Sequence, residues 1–491
     1  MSKIRVRIAP SPTGYVHIGN IRTILFNYFF ARQMKGDFIV RIEDTDQTRL
    51  VDDALVHLLK VLKDLKIDYD EGPYLDENDK ILEKGDFGSY IQSERKKSGI
   101  YKKFAEELIE KGYAYRCFCT PERLEEMRKN LQEKNLPTKY DRKCLHLTQK
   151  EIDEKIANGE KFVIRLKVPD NEQIEFEDWT YGKISTPSNS IDDQVLLKSD
   201  GFPTYHLAVV VDDHLMQISH IFRGEDWLPS TPKHILIYKA FGWEIPQHVH
   251  IPNVLQPNKK KLSKRFEDVS TRNYLEKGYL PEAIWNYLSF VGWNPGTEQE
   301  IMSREEILKS FDIHKIQKSG GIFNIEKLDW YNGIYIRKLS IDEFVSRSKR
   351  FLINAKILTE KDFEDSEKLK YIKKVLGLVQ KRIKILSEVP ESVNSFFSEN
   401  IQVDKKLLTT KGKEKTKEIL QKVFENLTNL EIWTHDELSK NLESIAEIFG
   451  RSQVFFTTRV AITGKQFSPG VFESLEVLGK ERSLKRIKKL I

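Results

Sequence analysis

Three groups of residues in this 491-residue chain have the types and spacing that chemistry requires. The first is "RIAPSPTGYVHIGN", from Arg7 to Asn20. Pro10 and Pro12 each remove a backbone donor and stiffen the chain. Gly14 and Gly19 admit a sharp bend or the close approach of a ligand. His17 stands where an apolar helix begins, beside N–H groups and a dipole end that favour an anion. The second group is "KKKLSKR", Lys259 to Arg265, a dense basic loop. The third gathers all three cysteines, as Cys117-x-Cys119 and Cys144-x-His146. Four soft or borderline ligands from two loops suit tetrahedral zinc, and a closed set suggests a structural metal. Each group has a plainer reading: a helix-capping turn, a solvated charge run, three reduced thiols in a small core. The first two together are far more specific than either alone.

The elements that position these groups follow from periodicity. "KIRVRIA" and "DFIVRIED" read as strands, and "NIRTILFNYFFARQM" and "TRLVDDALVHLLKVLKDL" as helices. Such alternation implies right-handed crossovers and a parallel sheet. A helix is predicted from Ser98 to Gly112, then an insertion from Ala114 to about Ser190 that contains the cysteines and the strand "KFVIRLKV". The sheet pattern resumes with "TYHLAVVVDDHL" and "ISHIFRGEDW", read as strands, and the helix "STPKHILIYKAFGW"; after Trp293 the chain is mainly helical. The expected fold class is α/β: a Rossmann-like parallel sheet with an inserted α+β zinc-binding domain and an all-helical C-terminal region. Arg7, Glu43, Tyr205 and Arg223 then stand at strand ends and point to one crevice, where ligands of open α/β sheets bind. Asp212 and Asp213 are expected to follow a buried strand and orient these groups.

Composition sets the bounds. Hydrophobic residues make up 39% and charged residues 31%, as in a soluble folded protein. No apolar run approaches the ~20 residues needed to span a bilayer, and no secretion signal opens the chain, so a cytoplasmic location is the expectation. Three clustered cysteines argue against a disulfide framework. The net charge is +6, but from Ile341 onward basic residues outnumber acidic ones 29 to 22. That asymmetry, ending in "LGKERSLKRIKKLI", suits a helical surface for phosphates.

"APSPTGYVHIGN" resembles the first nucleotide-binding motif of class I aminoacyl-tRNA synthetases, and "KLSKR" resembles their second, the Lys-x-Ser-Lys loop. "RIAPSPTG", "RIEDTD", "PTYHLAVVVDD" and "RGEDW" are similar specifically to glutamyl-tRNA synthetases of the bacterial type, with matches from Arg5 to about Tyr335. Asn20 and Leu262 depart from that pattern without removing a charge. The resemblance implies ATP-dependent activation of L-glutamate to the adenylate, then transfer to the terminal adenosine of tRNA(Glu), with tRNA(Gln) as an open second acceptor. It implies His17, Lys261 and Lys264 as catalytic cations and donors, and His17, Gly19, Lys261, Ser263 and Lys264 around ATP. Arg7, Ser11, Glu43, Tyr205 and Arg223 would hold glutamate. Mg2+ would bridge phosphate oxygens, and one structural Zn2+ would sit on Cys117, Cys119, Cys144 and His146, with Tyr140 as rival fourth ligand.

The implied domains are a catalytic domain in two halves (1–115 and 191–258), an acceptor-end and zinc-binding insertion (116–190), a loop and stem-contact region (259–340) and a helical anticodon-binding region (341–491). No membrane partner is implied, and a monomer is expected. In "GLVQKRIKIL", relatives restricted to the glutamate tRNA tend to have an Arg near Gln380; Arg382 lies two residues on. Two alternatives are a glutamyl transferase acting on a modified tRNA base, which would be shorter, and a non-catalytic tRNA-binding paralogue, which would have lost His17, Lys264 or the glutamate set.

Overall fold

A computed structural model describes residues 3–262, 270–409 and 415–491. The chain separates into two compact units, Met1–Tyr274 with Ile284–Asn324, and Leu275–Ala283 with Ile325–Ile491.

The first unit begins with strand β1 (Arg5–Ile8), helix α1 (Ile18–Gln33), strand β2 (Asp37–Val40) and helix α2 (Ala54–Asp64). Every residue of β1 and β2 is buried, as in a parallel sheet covered on both faces. Helix α1 is buried on nearly all sides, so it carries little amphipathic signal. Helix α3 (Ile100–Glu110) leads into β3 (Ala114–Cys117), which pairs antiparallel with β4 (Val163–Leu166).

Strands β5 (Gln173–Asp178) and β6 (Gly182–Pro187) follow, and then β7 (Val195–Leu197), which returns to pair with β4. Helix α4 (Tyr205–Leu215), strand β8 (His220–Gly224), helix α5 (Thr231–Phe241) and strand β9 (Gln247–Ile251) complete the core. The main sheet has the order β2-β1-β8-β9-β5-β6, parallel except for the β5–β6 hairpin at one edge.

Two expectations are corrected. "TYHLAVVVDDHL" is helix α4, not a strand. Residues Leu207 to Asp213 are all buried, and a fully buried run shows neither the helical nor the strand period. Its three consecutive valines favour a strand by propensity, and tertiary packing overrides that preference. Tyr205 therefore opens a helix, and Asp212 and Asp213 lie in its last turn. The second correction concerns 116–190: β5 and β6, within that span, belong to the main sheet, while β7, beyond it, belongs to the three-stranded sheet of the insertion. In β5, buried Ile174, Phe176 and Asp178 alternate with exposed Gln173, Glu175 and Glu177, the pattern of a strand with one face on a core.

The second unit is helical from Ile325–Lys338 to Lys480–Lys488, around a core that includes Leu352, Leu376, Val423, Leu442 and Leu475. Gln380 is half-buried and its side-chain amide donates to the carbonyls of Ile336 and Leu339, whereas Arg382 is exposed. Among the described residues no helix is long and apolar enough to cross a membrane.

Candidate active site

A crevice of about 380 Å³ opens at the carboxyl ends of β1 and β8, lined by Arg7, Ser11, His17, Gly19, Glu43, Tyr205, Arg223 and Lys261. This is the position at which open α/β sheets bind ligands. Ser263 and Lys264 lie outside the described residues.

The loop after β1 answers its own sequence pattern. His17 is the N-cap of α1, and its Nδ1 accepts a hydrogen bond from the Gly19 N–H at 3.1 Å. An accepting Nδ1 puts the proton of the neutral ring on Nε2. A Cβ at Gly19 would lie 3.1 Å from the His17 ring, a tight contact that the imidazole would have to relieve by shifting a few tenths of an ångström. Lys261 reaches the same crevice from the other motif and pairs with Asp226.

Arg7 and Glu43 belong to a buried ionic array. Arg7 forms a two-pronged bond to Asp213, Nε to Oδ1 at 2.9 Å and Nη2 to Oδ2 at 3.0 Å. Its Nη1 meets only the Phe222 carbonyl at 3.4 Å, a long contact. Arg41, fully buried, donates to Asp213 at 2.7 Å and to Glu43 at 2.9 Å. Arg95, Gln92 and Tyr101 all donate to Asp212, at 2.7, 2.8 and 2.9 Å. Burial pushes Asp212 and Glu43 up in pKa despite their guanidinium partners. At Asp213 burial acts the same way, but Arg41 and Arg7 together outweigh it and hold the carboxyl below its ordinary range. Arg7, Arg41 and Arg95 are thus balanced by Glu43, Asp212 and Asp213.

Arg223 is different. It is 6% exposed and its partners are all uncharged. Nε donates to His250 Nε2 at 3.0 Å, Nη1 to Tyr205 Oη and His234 Nδ1 at 3.2 Å each, and Nη2 to Thr231 Oγ1 at 2.7 Å. Among the described residues no carboxylate lies within ion-pair distance of it. A buried cation without a counter-ion is costly unless a ligand supplies one.

The cysteines form a separate cluster in the insertion. Their sulfurs all lie within 4.8 Å of one another, with Cys119 and Cys144 at 3.6 Å. Tetrahedral zinc with bonds of ~2.3 Å sets sulfurs roughly 3.8 Å apart, so the donor set fits. His146 is exposed and lies outside the cluster. Tyr140 is buried in it, its hydroxyl 3.3 Å from both Cys117 and Cys119 and 3.1 Å from the Cys144 amide. Arg142, at φ 56°, is left-handed just before the short turn Lys143–His146 that carries both Cys144 and His146. The hydrogen bond from Cys144 pulls the Cys117 thiol down against the effect of burial, and Tyr140 adds to it.

Arg41, Arg95, His234, His250 and Asp178 did not emerge from sequence reasoning. Arg41 alone carried a signal, two residues before Glu43 in a buried run.

Residues 3–330 match the catalytic domain of class I tRNA synthetases (E and Q), and residues 343–491 match an anticodon binding domain. The glutamate–tRNA ligase of Finegoldia magna is 43% identical over 493 residues, all of both chains, and that of Clostridioides difficile is 41% identical, covering 99% of this chain and 98% of the other. A crystal structure of a glutamate tRNA ligase from Elizabethkingia meningosepticum in complex with its amino acid superposes with a TM-score of 0.86 at 33% identity, covering 99% of each chain. The glutamate-tRNA synthetase of Elizabethkingia anophelis gives 0.85 at 32%, with the same coverage. With the parallel sheet, the crevice and the helical C-terminal unit described above, these full-length matches mean that the chain belongs to the glutamate–tRNA ligase family of class I tRNA synthetases.

Proposed function

We propose that this chain activates L-glutamate with ATP and esterifies it to the terminal adenosine of tRNA(Glu), with Arg223 as the cation that receives a substrate carboxylate. The observation that carries the reading is the charge pattern of the crevice: a balanced array beside Arg223, whose hydrogen-bond partners among the described residues are two imidazoles and two hydroxyls. Arg223 and Tyr205 meet the carboxylate from one side and Arg7 Nη1 meets the amino acid from another. Glu43 and Ser11 suit the ammonium, whose arrival favours the ionised form of a carboxyl that burial pushes up. His17, Gly19 and Lys261 line the part suited to phosphates, with Ser263 and Lys264 proposed beside them. Positioned cations and donors stabilise charge that develops on the phosphates. Mg2+ would travel with ATP and offset the charge of its phosphates.

Zinc would be held by Cys117, Cys119, Cys144 and Tyr140, where it would act as a structural cross-link. Metal analysis should find about one zinc per chain, lost in Cys119→Ser; a metal-free, fully stable protein would leave only a thiol core. Arg382 and Gln380 each donate to backbone carbonyls, Arg382 to Ser468 and Gln380 to Ile336 and Leu339, and restriction to tRNA(Glu) is proposed from the exposure of Arg382. The chain is proposed to act as a monomer, which light scattering would test.

The deciding experiment is charging of separate tRNA(Glu) and tRNA(Gln) with labelled glutamate. ATP-dependent label on tRNA(Glu) alone is expected. No charging of tRNA(Glu) would overturn the function, and equal charging of both would overturn the restriction.

A further inference from the structure

The surroundings of Arg223 follow from the sheet. Arg223 on β8 stands in register with His250 on β9, and β9 pairs in turn with β5, whose last residue is Asp178. Three neighbouring parallel strands therefore line up guanidinium, imidazole and carboxylate at their carboxyl ends. His234, on α5, closes the other side. Asp178, His250 and His234 are 0%, 0% and 2% exposed.

The proton positions are forced. A guanidinium only donates, so the ring nitrogens that face it must be unprotonated. His250 then carries its proton on Nδ1, which lies 2.7 Å from Asp178 Oδ2. His234 carries its proton on Nε2, which lies 3.1 Å from His206 Nδ1. Asp178 is itself saturated: Oδ2 also accepts from the His250 amide, and Oδ1 from the amides of Thr180 and Tyr181. A second proton on either ring would meet an N–H of Arg223 head-on. Burial, reinforced by Arg223, pushes both imidazoles down and keeps them neutral, although Asp178 opposes this at His250.

Arginine at a buried site is ordinarily paired with a carboxylate, as Arg7 is with Asp213. A carboxylate beside Arg223 would orient the fork equally well but would also cancel its charge. Neutral acceptors orient without cancelling. We propose that His250 and His234 are positioning residues that hold Arg223 through neutral acceptors, so that its full charge is presented to the substrate carboxylate, with Asp178 locking the His250 tautomer from behind.

This proposal rests on the reading that Arg223 receives a glutamate carboxylate, and the test separates the two. The full-length chain is assayed by aminoacylation of tRNA(Glu), with half-saturating glutamate and ATP measured separately. Arg223→Gln is the reference and should raise the glutamate requirement; if it does not, the reading of Arg223 fails. His234→Glu puts a carboxylate against the fork and should raise the glutamate requirement by about tenfold or more, with that for ATP unchanged. His234→Gln keeps an uncharged acceptor for Arg223 and a donor for His206, and should stay within about threefold of wild type. A residue with a merely structural role would be hurt alike by both changes.

Asp178→Asn gives a second route if His234→Glu does not fold. Its amide either inverts the His250 tautomer or turns an N–H on the backbone amides, so glutamate use should weaken while ATP use holds. Arg223→Gln defective with His234→Glu at wild-type glutamate dependence, or with Glu and Gln at 234 equally impaired, would overturn the proposal. So would an Asp178→Asn protein with unchanged glutamate dependence.

Discussion

Two sets of guanidiniums meet at one crevice and are built on opposite electrostatic plans. Arg7, Arg41 and Arg95 are buried with three carboxylates and form a closed array. Arg223 is buried to a similar degree and is surrounded by imidazoles and hydroxyls. A balanced array of buried ions adds little net stability over an apolar core, but it fixes geometry, and removal of one member is costly. An unbalanced buried cation stores an unmet demand for an anion. On the proposed reading the first plan is a wall and the second a receptor, so substitutions in the two sets should fail in different assays.

The largest effect is expected from Arg7→Gln. It leaves Asp213 with Arg41 alone in a site that excludes water. Breaking a buried pair by removing one partner costs about 3–5 kcal/mol. A clear drop in the thermal midpoint of the catalytic unit is expected, together with weakened glutamate use because Arg7 also lines the crevice. The wall would be the wrong description if Arg7→Gln lost glutamate affinity while its melting curve stayed that of the wild type.

Arg223→Gln should show the converse. The variant loses a cation that has no carboxylate partner among the described residues, so its stability should hold or rise. Loss of a buried, hydrogen-bonded partner for a substrate charge costs roughly 2–5 kcal/mol. That corresponds to about 30-fold to a few thousand-fold in glutamate use at about 1.4 kcal/mol per decade. Steady-state charging as a function of glutamate, beside a melt of the same sample, tests it; an unstable variant with normal glutamate dependence would reverse the assignment of the two sets.

The difference between the sets also explains what the sequence revealed. The loop from Ala9 to Gly19 was legible because proline, glycine and a helix-opening histidine act locally. The strands β1, β2 and β8 were legible from short apolar runs bounded by helices. Helix α4 was not, because a run buried on every side has no period to read. The β5–β6 hairpin falls within the span 116–190 read as an insertion, because sequence order gives no hint that an edge hairpin rejoins a distant sheet. The cysteine spacing discloses a metal-type cluster, but spacing alone does not choose between Tyr140 and His146, and it is Tyr140 whose hydroxyl lies beside the sulfurs. His250 and Asp178 lie on neighbouring strands 72 residues apart, and only the sheet register joins them.

The imidazoles around Arg223 make a further, smaller difference that acid should expose. Burial lowers His206 to about 3, with Lys233 and Arg223 adding to the shift. The unfolded chain binds that proton near pH 6.5, the folded chain only near 3. Between those values the unfolded state holds more protons, so stability is complete above about pH 6.5 and falls as pH drops towards 3. The limiting slope from one such group is about 1.4 kcal/mol per pH unit. His206→Gln retains an acceptor for His234 and should flatten the stability profile below pH 6.5. Denaturant midpoints at pH 5 and pH 7 in both proteins give the test, and parallel profiles would remove His206 from the acid-sensitive set.

The smallest effect on stability should come from the pair that looks most like Arg7–Asp213 on paper. Lys261 and Asp226 are also oppositely charged and in contact at the crevice, but their side chains are 54% and 51% exposed. Water and salt screen such a pair, and the lysine gives up rotamer freedom to hold it, so its worth is less than about 1 kcal/mol. Burial of Asp226 acts to raise its pKa, but its hydrogen bonds to Lys261 and Asn253 outweigh this and hold it below the ordinary carboxylate range. An ion pair that forms easily in solvent also opens easily. Lys261 can therefore leave Asp226 for a phosphate at little cost, whereas Arg7 cannot leave Asp213. Lys261→Ala should shift the melting temperature barely at all, yet raise the ATP concentration needed for half-maximal charging and leave that for glutamate unchanged. Added salt should weaken ATP use in the wild type more than in Lys261→Ala, because the variant lacks the screened contact. A large loss of stability in Lys261→Ala, or a defect confined to glutamate, would show that exposure does not separate this pair from the buried array.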